Sequence, residues 1–375
     1  MKRIPFLRPN LVKKEAYLDY LAQIDQSRIY SNFGPLNSLF EERLLTRLFA
    51  GKGSLLTVAN ATLGLMLAFA HCRRAGGRYA VMPSFTFAAT AQAALWCGLT
   101  PYFVDIDPDT WCVDPTDLRT AVKKLGADVA LVVPYATFGT SIDLSCYTEL
   151  HNDGIPVAVD AAASLGTTND DHHFGTGFPG AIVFSLHATK AFPVGEGGII
   201  YSGDATLTAK LRQSANFGFS AVRESTQLGL NAKLSEFHAA VALATLDEFA
   251  EKKVLRQQVH QWYRELFAQH RLLDKGWCFQ QVSGSVAYQF VPVLCPKNIN
   301  NLTIIKALNH ADIEARTYFR PACHQQPLFS PFPRSAMTVT DAISSRVVSL
   351  PLWEEMARTD VEGIVAALVQ ADALP

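Results

Sequence analysis

Short apolar runs recur through the first 205 residues, at 55–58, 79–82, 101–104, 129–133, 156–159, 181–184 and 198–201. Each is short and rich in Val, Ile or aromatic residues, as expected of a strand buried on both faces. Between most of them lie longer stretches with helical spacing, as at 62–72, 86–97 and 115–125. This alternation predicts an α/β fold: a mainly parallel seven-stranded sheet with helices on both faces. The pattern changes after Asn231. Residues 234–255 read as one long helix, with Ala239, Ala240, Ala242, Leu243, Leu246 and Phe249 at its apolar positions. It leads to a smaller unit in which 287–294 and 313–318 read as strands, 321–333 as a proline-rich loop and 361–369 as a closing helix. The expected division is a large domain over 1–245 and a small C-terminal α/β domain over 246–375.

Composition narrows the function classes. Of 375 residues, 49% are hydrophobic and 18% charged, which excludes an intrinsically disordered chain. Lys and Arg number 33 against 34 Asp and Glu, so the basic surplus of a nucleic-acid binder is absent. No apolar run approaches the roughly 20 residues that span a bilayer. Pro5 and Pro9 interrupt the apolar core a signal peptide would need. The seven cysteines include no C-x-x-C pair and read as the unpaired thiols of a cytoplasmic protein.

Ligands of open α/β sheets bind beyond the carboxyl ends of the strands, so the residues after each apolar run carry the candidate chemistry. Asp160 ends one run and is followed by three alanines; by itself such an Asp is most often a helix N-cap. Another run leads into Ser185, His187 and Lys190, a lysine set among small and aromatic residues where desolvation would lower its pKa. Ala59, Asn60, Ala61 and Thr62 open a helix whose backbone N–H groups suit a phosphate, though a plain capped start reads the same way. Phe85 and Phe87 alternate with small polar residues, and one of them would stack on a planar ring if it is not simply core. No Walker loop is present, and no G-x-G-x-x-G stands at a strand-to-helix turn, which disfavours nucleotide hydrolysis and nicotinamide or flavin binding. His172 and His173 are neighbours on an extended segment and would point apart, so no metal is expected. A lysine, a carboxylate, an aromatic plate and a phosphate cradle at four strand ends together suit pyridoxal 5′-phosphate.

The order and spacing of these pieces resemble the DegT/DnrJ/EryC1/StrS family of sugar aminotransferases, which have the type I fold of pyridoxal-phosphate enzymes. The match runs from YSNFGPL at 30–36 to SLPL at 349–352, through PSFTFAAT at 83–90, VDIDP at 104–108, VDAA at 159–162, FSLHATK at 184–190 and GEGG at 195–198. The resemblance implies that Lys190 is the Schiff-base lysine and that Asp160 pairs with the pyridinium nitrogen. It also implies that Phe87 lies against the ring, and that Ala61, Thr62 and Ser185 bind the phosphate. GLNAKL at 229–234 is similar to the family's G-x-N-x-R segment, so Asn231 is expected to reach the neighbouring subunit's site in a homodimer. Lys233 stands where Arg is usual and would act as a point charge only. Ala163 stands where a Gln or His usually meets the cofactor's 3′-oxygen, leaving Ser164, His187 or nothing for that contact.

The implied reaction moves an amino group from L-glutamate to a nucleotide-linked 4-keto-6-deoxy sugar. The SLHATK variant points to dTDP-4-keto-6-deoxyglucose as acceptor, aminated at C4 for O-antigen or polysaccharide biosynthesis. A 3-aminotransferase and a UDP- or GDP-sugar enzyme of the same family are alternatives. More distant ones are a lyase, and a non-catalytic regulator, on this fold. Phe33, Gly34, His187, Arg316, Tyr318 and His324 are the expected substrate contacts; Arg316 reads equally as a surface salt bridge.

Overall fold

A computed structural model of the chain describes residues 3–169 and 172–372. The seven expected strands are β1 (Ser54–Val58), β2 (Tyr79–Pro83), β3 (Thr100–Val104), β4 (Val129–Val132), β5 (Ala158–Asp160), β6 (Ala181–Ser185) and β7 (Gly198–Ser202). They pair in the order β1-β7-β6-β5 and β4-β2-β3. Two single parallel bridges, Val132–Val157 and Tyr135–Asp160, join the halves into one sheet. Only β7 runs antiparallel to its neighbours.

Strict alternation along the strands sends side chains into two cores. Leu55, Ile182, Phe184, Ile199 and Tyr201 face one side, where Phe40 and Leu44 of α2 (Pro35–Phe49) and Leu243 of a long C-terminal helix meet them. Leu56, Val183 and Ile200 face the other, against Leu65 and Phe69 of α3 (Ala61–Cys72) and Ala91 and Ala94 of α4 (Ala88–Trp96). A sheet covered on both faces needs continuously apolar strands, and these strands are that.

The helix expected at 234–255 runs instead over Glu236–Gln269, here α8 after α5 (Pro115–Leu125), α6 (Ser145–Asn152) and α7 (Ala205–Ser214). Ser235 caps it by accepting the His238 N–H. Its apolar spacing continues past Leu255 as Val259, Tyr263, Leu266 and Phe267, which enter a further core. Residue 245 therefore lies inside a continuous helix. The further core joins β8 (Cys278–Phe279), β9 (Val291–Leu294) and β10 (Val347–Leu350) to α9 (Asn301–His310) and α11 (Arg358–Asp372).

Three other expectations are corrected. The helix expected from 86 begins at Ala88, because Phe87 is extended and serves as its N-cap. The strand expected over 287–294 forms only at its last four residues. No strand forms at 313–318: Ile313 and Ala315 turn inward as a strand's would, but only Ile313 and Arg316 find a bridge partner, in Ile4 and Ser349. The strand β10 lay unread in the sequence.

Arg256 of α8 and Glu354 form an ion pair at 2.7 Å, with side chains only 4% and 2% exposed. Arg256→Ala leaves that carboxylate buried and alone. The expected loss is about 3–5 kcal/mol of stability, read from denaturant unfolding.

Candidate active site

Five strands deliver their C-terminal ends to one cavity of about 710 Å³, a volume typical of a small-molecule site. β1 leads to Asn60, Ala61 and Thr62; β2 to Phe87; β4 to Tyr135 and Phe138; β5 to Asp160; β6 to Ser185, His187 and Lys190. Leu7, Gln289, Phe290, Tyr318 and Phe319 close the wall from elsewhere in the chain.

Asp160 is buried, and its orientation is fixed from two sides. Thr90 Oγ1 donates to Oδ2 at 2.6 Å and the Ala162 N–H donates to Oδ1 at 3.1 Å. Since Thr90 gives its proton to the carboxylate, the 2.8 Å contact with Thr86 Oγ1 must have Thr86 as donor. Burial pushes the Asp160 pKa up, against the pull of these donors and of the Lys190 charge. Burial also pushes the Lys190 amine down, to about 8, with the Asp160 carboxylate opposing. Lys190 Nζ donates to Gln289 Oε1 at 3.1 Å.

At the start of α3, Asn60 Oδ1 accepts the Leu63 N–H and leaves the amides of Ala61 and Thr62 at the cavity wall. Gly198 makes this approach possible: a Cβ there would stand 2.8 Å from Ala61 N and 2.9 Å from Asn60 C. A helix N-terminus with free N–H groups attracts an anion. Phe87 is 57% exposed beside it.

His187 and Tyr318 line the cavity, as do Ala61, Thr62, Phe87, Asp160, Ser185 and Lys190. Phe33, Gly34, Asn231, Arg316 and His324 are not among its lining residues. Phe33 lies under the Arg212 guanidinium, 4.6 Å from the ring centre. Gly34 sits where Glu236 caps α2 through the N–H groups of Leu36 and Asn37. Asn231 is exposed, its Oδ1 accepting from Lys233 Nζ at 2.7 Å. Arg316 lies over Phe6 and 3.8 Å from Glu314, the surface pairing its exposure allows. His324 is buried between Ser84 Oγ, 2.7 Å from its Nδ1, and Asp341, 3.1 Å from its Nε2. Ser164 spends its hydroxyl on the Thr140 carbonyl, whereas His187 faces the cavity.

Gln289, Tyr135, Phe138, Phe290 and Phe319 escaped the sequence reading. Tyr135 and Phe138 follow the fourth apolar run, so the strand-end rule applied once more would have found them. Gln289 lies 99 residues from Lys190, and no local pattern marks it. Among the described residues, no group of three or more His, Cys, Asp or Glu is placed to hold a metal ion, and no helix is long and apolar enough to cross a membrane.

The profile of the DegT/DnrJ/EryC1/StrS aminotransferase family matches residues 12–369. The chain belongs to that family. It is therefore a pyridoxal-phosphate-dependent enzyme of the sugar-aminotransferase class, with the type I fold. A solved structure from Bacillus cereus, provisionally named a PLP-dependent aminotransferase, is 46% identical with a TM-score of 0.97, over 98% of this chain and all of that one. DesI, solved in the presence of its TDP-sugar product, is 33% identical with a TM-score of 0.88, over 99% and 93%. The dTDP-4-amino-4,6-dideoxy-D-glucose transaminase of Escherichia coli is 25% identical over 98% of each chain.

The aminotransferase's cavity fits its cofactor. A buried carboxylate with a raised pKa lacks a full cationic partner, which a protonated ring nitrogen supplies. An amine near pKa 8 is a nucleophile close to neutral pH. The anion site at α3 suits a phosphate. Labelling of Lys190 by an amine-selective reagent in the cofactor-free protein tests this. Only the neutral amine reacts, so the rate should rise about tenfold per pH unit below 8 and level off above it. An unperturbed lysine keeps rising to about pH 10.

Proposed function

We propose that this aminotransferase moves an amino group from L-glutamate to a nucleotide-linked 4-keto-6-deoxy sugar. Its favoured acceptor is dTDP-4-keto-6-deoxyglucose, aminated at C4 for O-antigen or polysaccharide biosynthesis. The observation that carries the reading is Lys190 and Asp160 at the ends of adjacent strands, facing one cavity. The acceptor is supported by DesI, solved with its TDP-sugar product, and by the Escherichia coli transaminase, whose name specifies a dTDP-linked sugar. The aromatic wall of Tyr135, Phe138, Phe290, Tyr318 and Phe319 suits a sugar that carries a methyl group in place of a hydroxymethyl.

In this reading the cofactor, when bound, supplies a conjugated ring that takes up the electron pair released at the substrate carbon. Lys190 Nζ holds and returns the proton, its pKa near 8 matching the task. The Asp160 carboxylate, kept in place by Thr90 and Ala162, holds the positive charge at the ring nitrogen. Ala61, Thr62 and Ser185 take the phosphate, and Phe87 covers the ring. His187 and Tyr318 touch the sugar.

Asn231 serves the site of a second copy in a homodimer, and Phe33 and Gly34 border the sugar from the N-terminal side. Asn231 pairs with Asn216 beside exposed Phe217, and exposed Tyr30, near Phe33 and Gly34 in sequence, stacks on exposed Phe237 at 6.0 Å. Residues 1–245 form the cofactor domain and 246–375 the small domain. The free cysteines among the described residues suit a reducing cytoplasm.

Purified protein should be yellow, bleach with L-glutamate and regain colour with the dTDP-linked ketosugar, whose aminated product is read by mass. Turnover with UDP- or GDP-linked acceptors, or amination at C3, reassigns the acceptor. Lys190→Ala should abolish turnover, and wild-type turnover in that variant ends the proposal. Asp160→Asn should lower kcat by about 100-fold to 1000-fold.

A further inference from the structure

We propose that Gln289 is the positioning residue of the Lys190 amine, holding it through one neutral hydrogen bond whenever that amine is free. The inference rests on the reading of Lys190 as the reacting amine. It begins with the 3.1 Å contact between Lys190 Nζ and Gln289 Oε1. An ammonium has donors only, so the carboxamide must turn its oxygen toward it. The other end of the amide agrees, since Gln289 Nε2 donates to Thr189 Oγ1 at 3.3 Å. Thr189 Oγ1 in turn lies 2.9 Å from His187 Nδ1. The carboxamide is thus oriented at both ends, and its residue is only 8% exposed.

The backbone beneath it is held as well. Arg256 Nη1 donates to the carbonyls of Tyr288, at 2.9 Å, and Gln289, at 3.5 Å, while Arg256 Nε is fixed by Glu354. A rigid bond from α8 therefore sets the height at which the carboxamide meets the amine.

Neutrality is the point of using Gln here. A carboxylate at this distance would hold the amine as ammonium, because an opposite charge within a few ångströms favours the charged form. The amide accepts the same hydrogen bond without that Coulombic pull. Asp160 is then the nearby charge that burial must work against. Gln289 aims the amine and leaves it able to lose its proton.

Two variants of the full chain test this. In the cofactor-free protein, pH-dependent labelling of Lys190 should show Gln289→Glu shifting the amine upward by about 1–3 pH units. In the holoenzyme, Gln289→Ala should lower kcat by about tenfold or more, with KM for L-glutamate changed by less than about twofold, as expected for lost aim. If Gln289→Ala does not fold, Gln289→Met keeps the volume without the carbonyl and takes its place. An unshifted amine in Gln289→Glu, or wild-type kcat in the truncated variant, overturns the proposal. The labelling needs neither cofactor nor turnover, so it reports on Gln289 even where the proposed acceptor or the role of Lys190 in turnover fails.

Discussion

A carboxylate taken out of water must find compensation within the protein, and Asp160 sets that requirement for the whole molecule. It ends β5 at the middle of the sheet, where both faces are covered. Thr90, the Ala162 amide and the charge on Lys190 each offset part of its desolvation, and burial still dominates its pKa. Lys190 carries the mirror problem: its ammonium is disfavoured by the same dry surroundings. Neither group is fully satisfied by the other. The residue of that mismatch is the binding energy available to a ligand that brings a positive ring nitrogen, an electrophilic carbon and a phosphate.

The C-terminal residues matter to this balance more than their distance in the chain suggests. α8 begins beside the sheet and ends in the third core, and its Arg256 grips the segment just ahead of β9. That segment carries Gln289 and Phe290 to the cavity wall. Of the four residues expected to open a strand at 287–290, Gln289 and Phe290 line the cavity, while the carbonyls of Tyr288 and Gln289 accept from Arg256 and not from a neighbouring strand.

How much was legible in the sequence follows from the range of each interaction. Strand positions were read well, because burial on both faces imposes a local apolar run. Asp160, Ser185 and Lys190 were found because a strand end is also a local feature. Gln289 was not, because its partner lies across the cavity rather than along the chain. His324 shows the opposite error. Its neighbours resemble a substrate loop, yet its two ring nitrogens are taken by Ser84 and Asp341, and burial keeps it from the cavity. A polar residue's type says that it needs partners; only the fold says which ones it has.

The join between the two halves of the sheet has a mechanical meaning. β5 and β4 touch through just Val132–Val157 and Tyr135–Asp160, whereas β2 and β3 share a five-residue ladder. One of the two bridges, Tyr135–Asp160, lies at the cavity wall, so backbone redundancy is low where chemical demands are high. A side chain stitches it instead. Thr90 crosses from α4 to β5. A change in α4 is therefore felt at Asp160, 70 residues away, as directly as a change in the strand itself. Damage tolerance in this protein should be mapped by distance from the seam rather than by depth in the core.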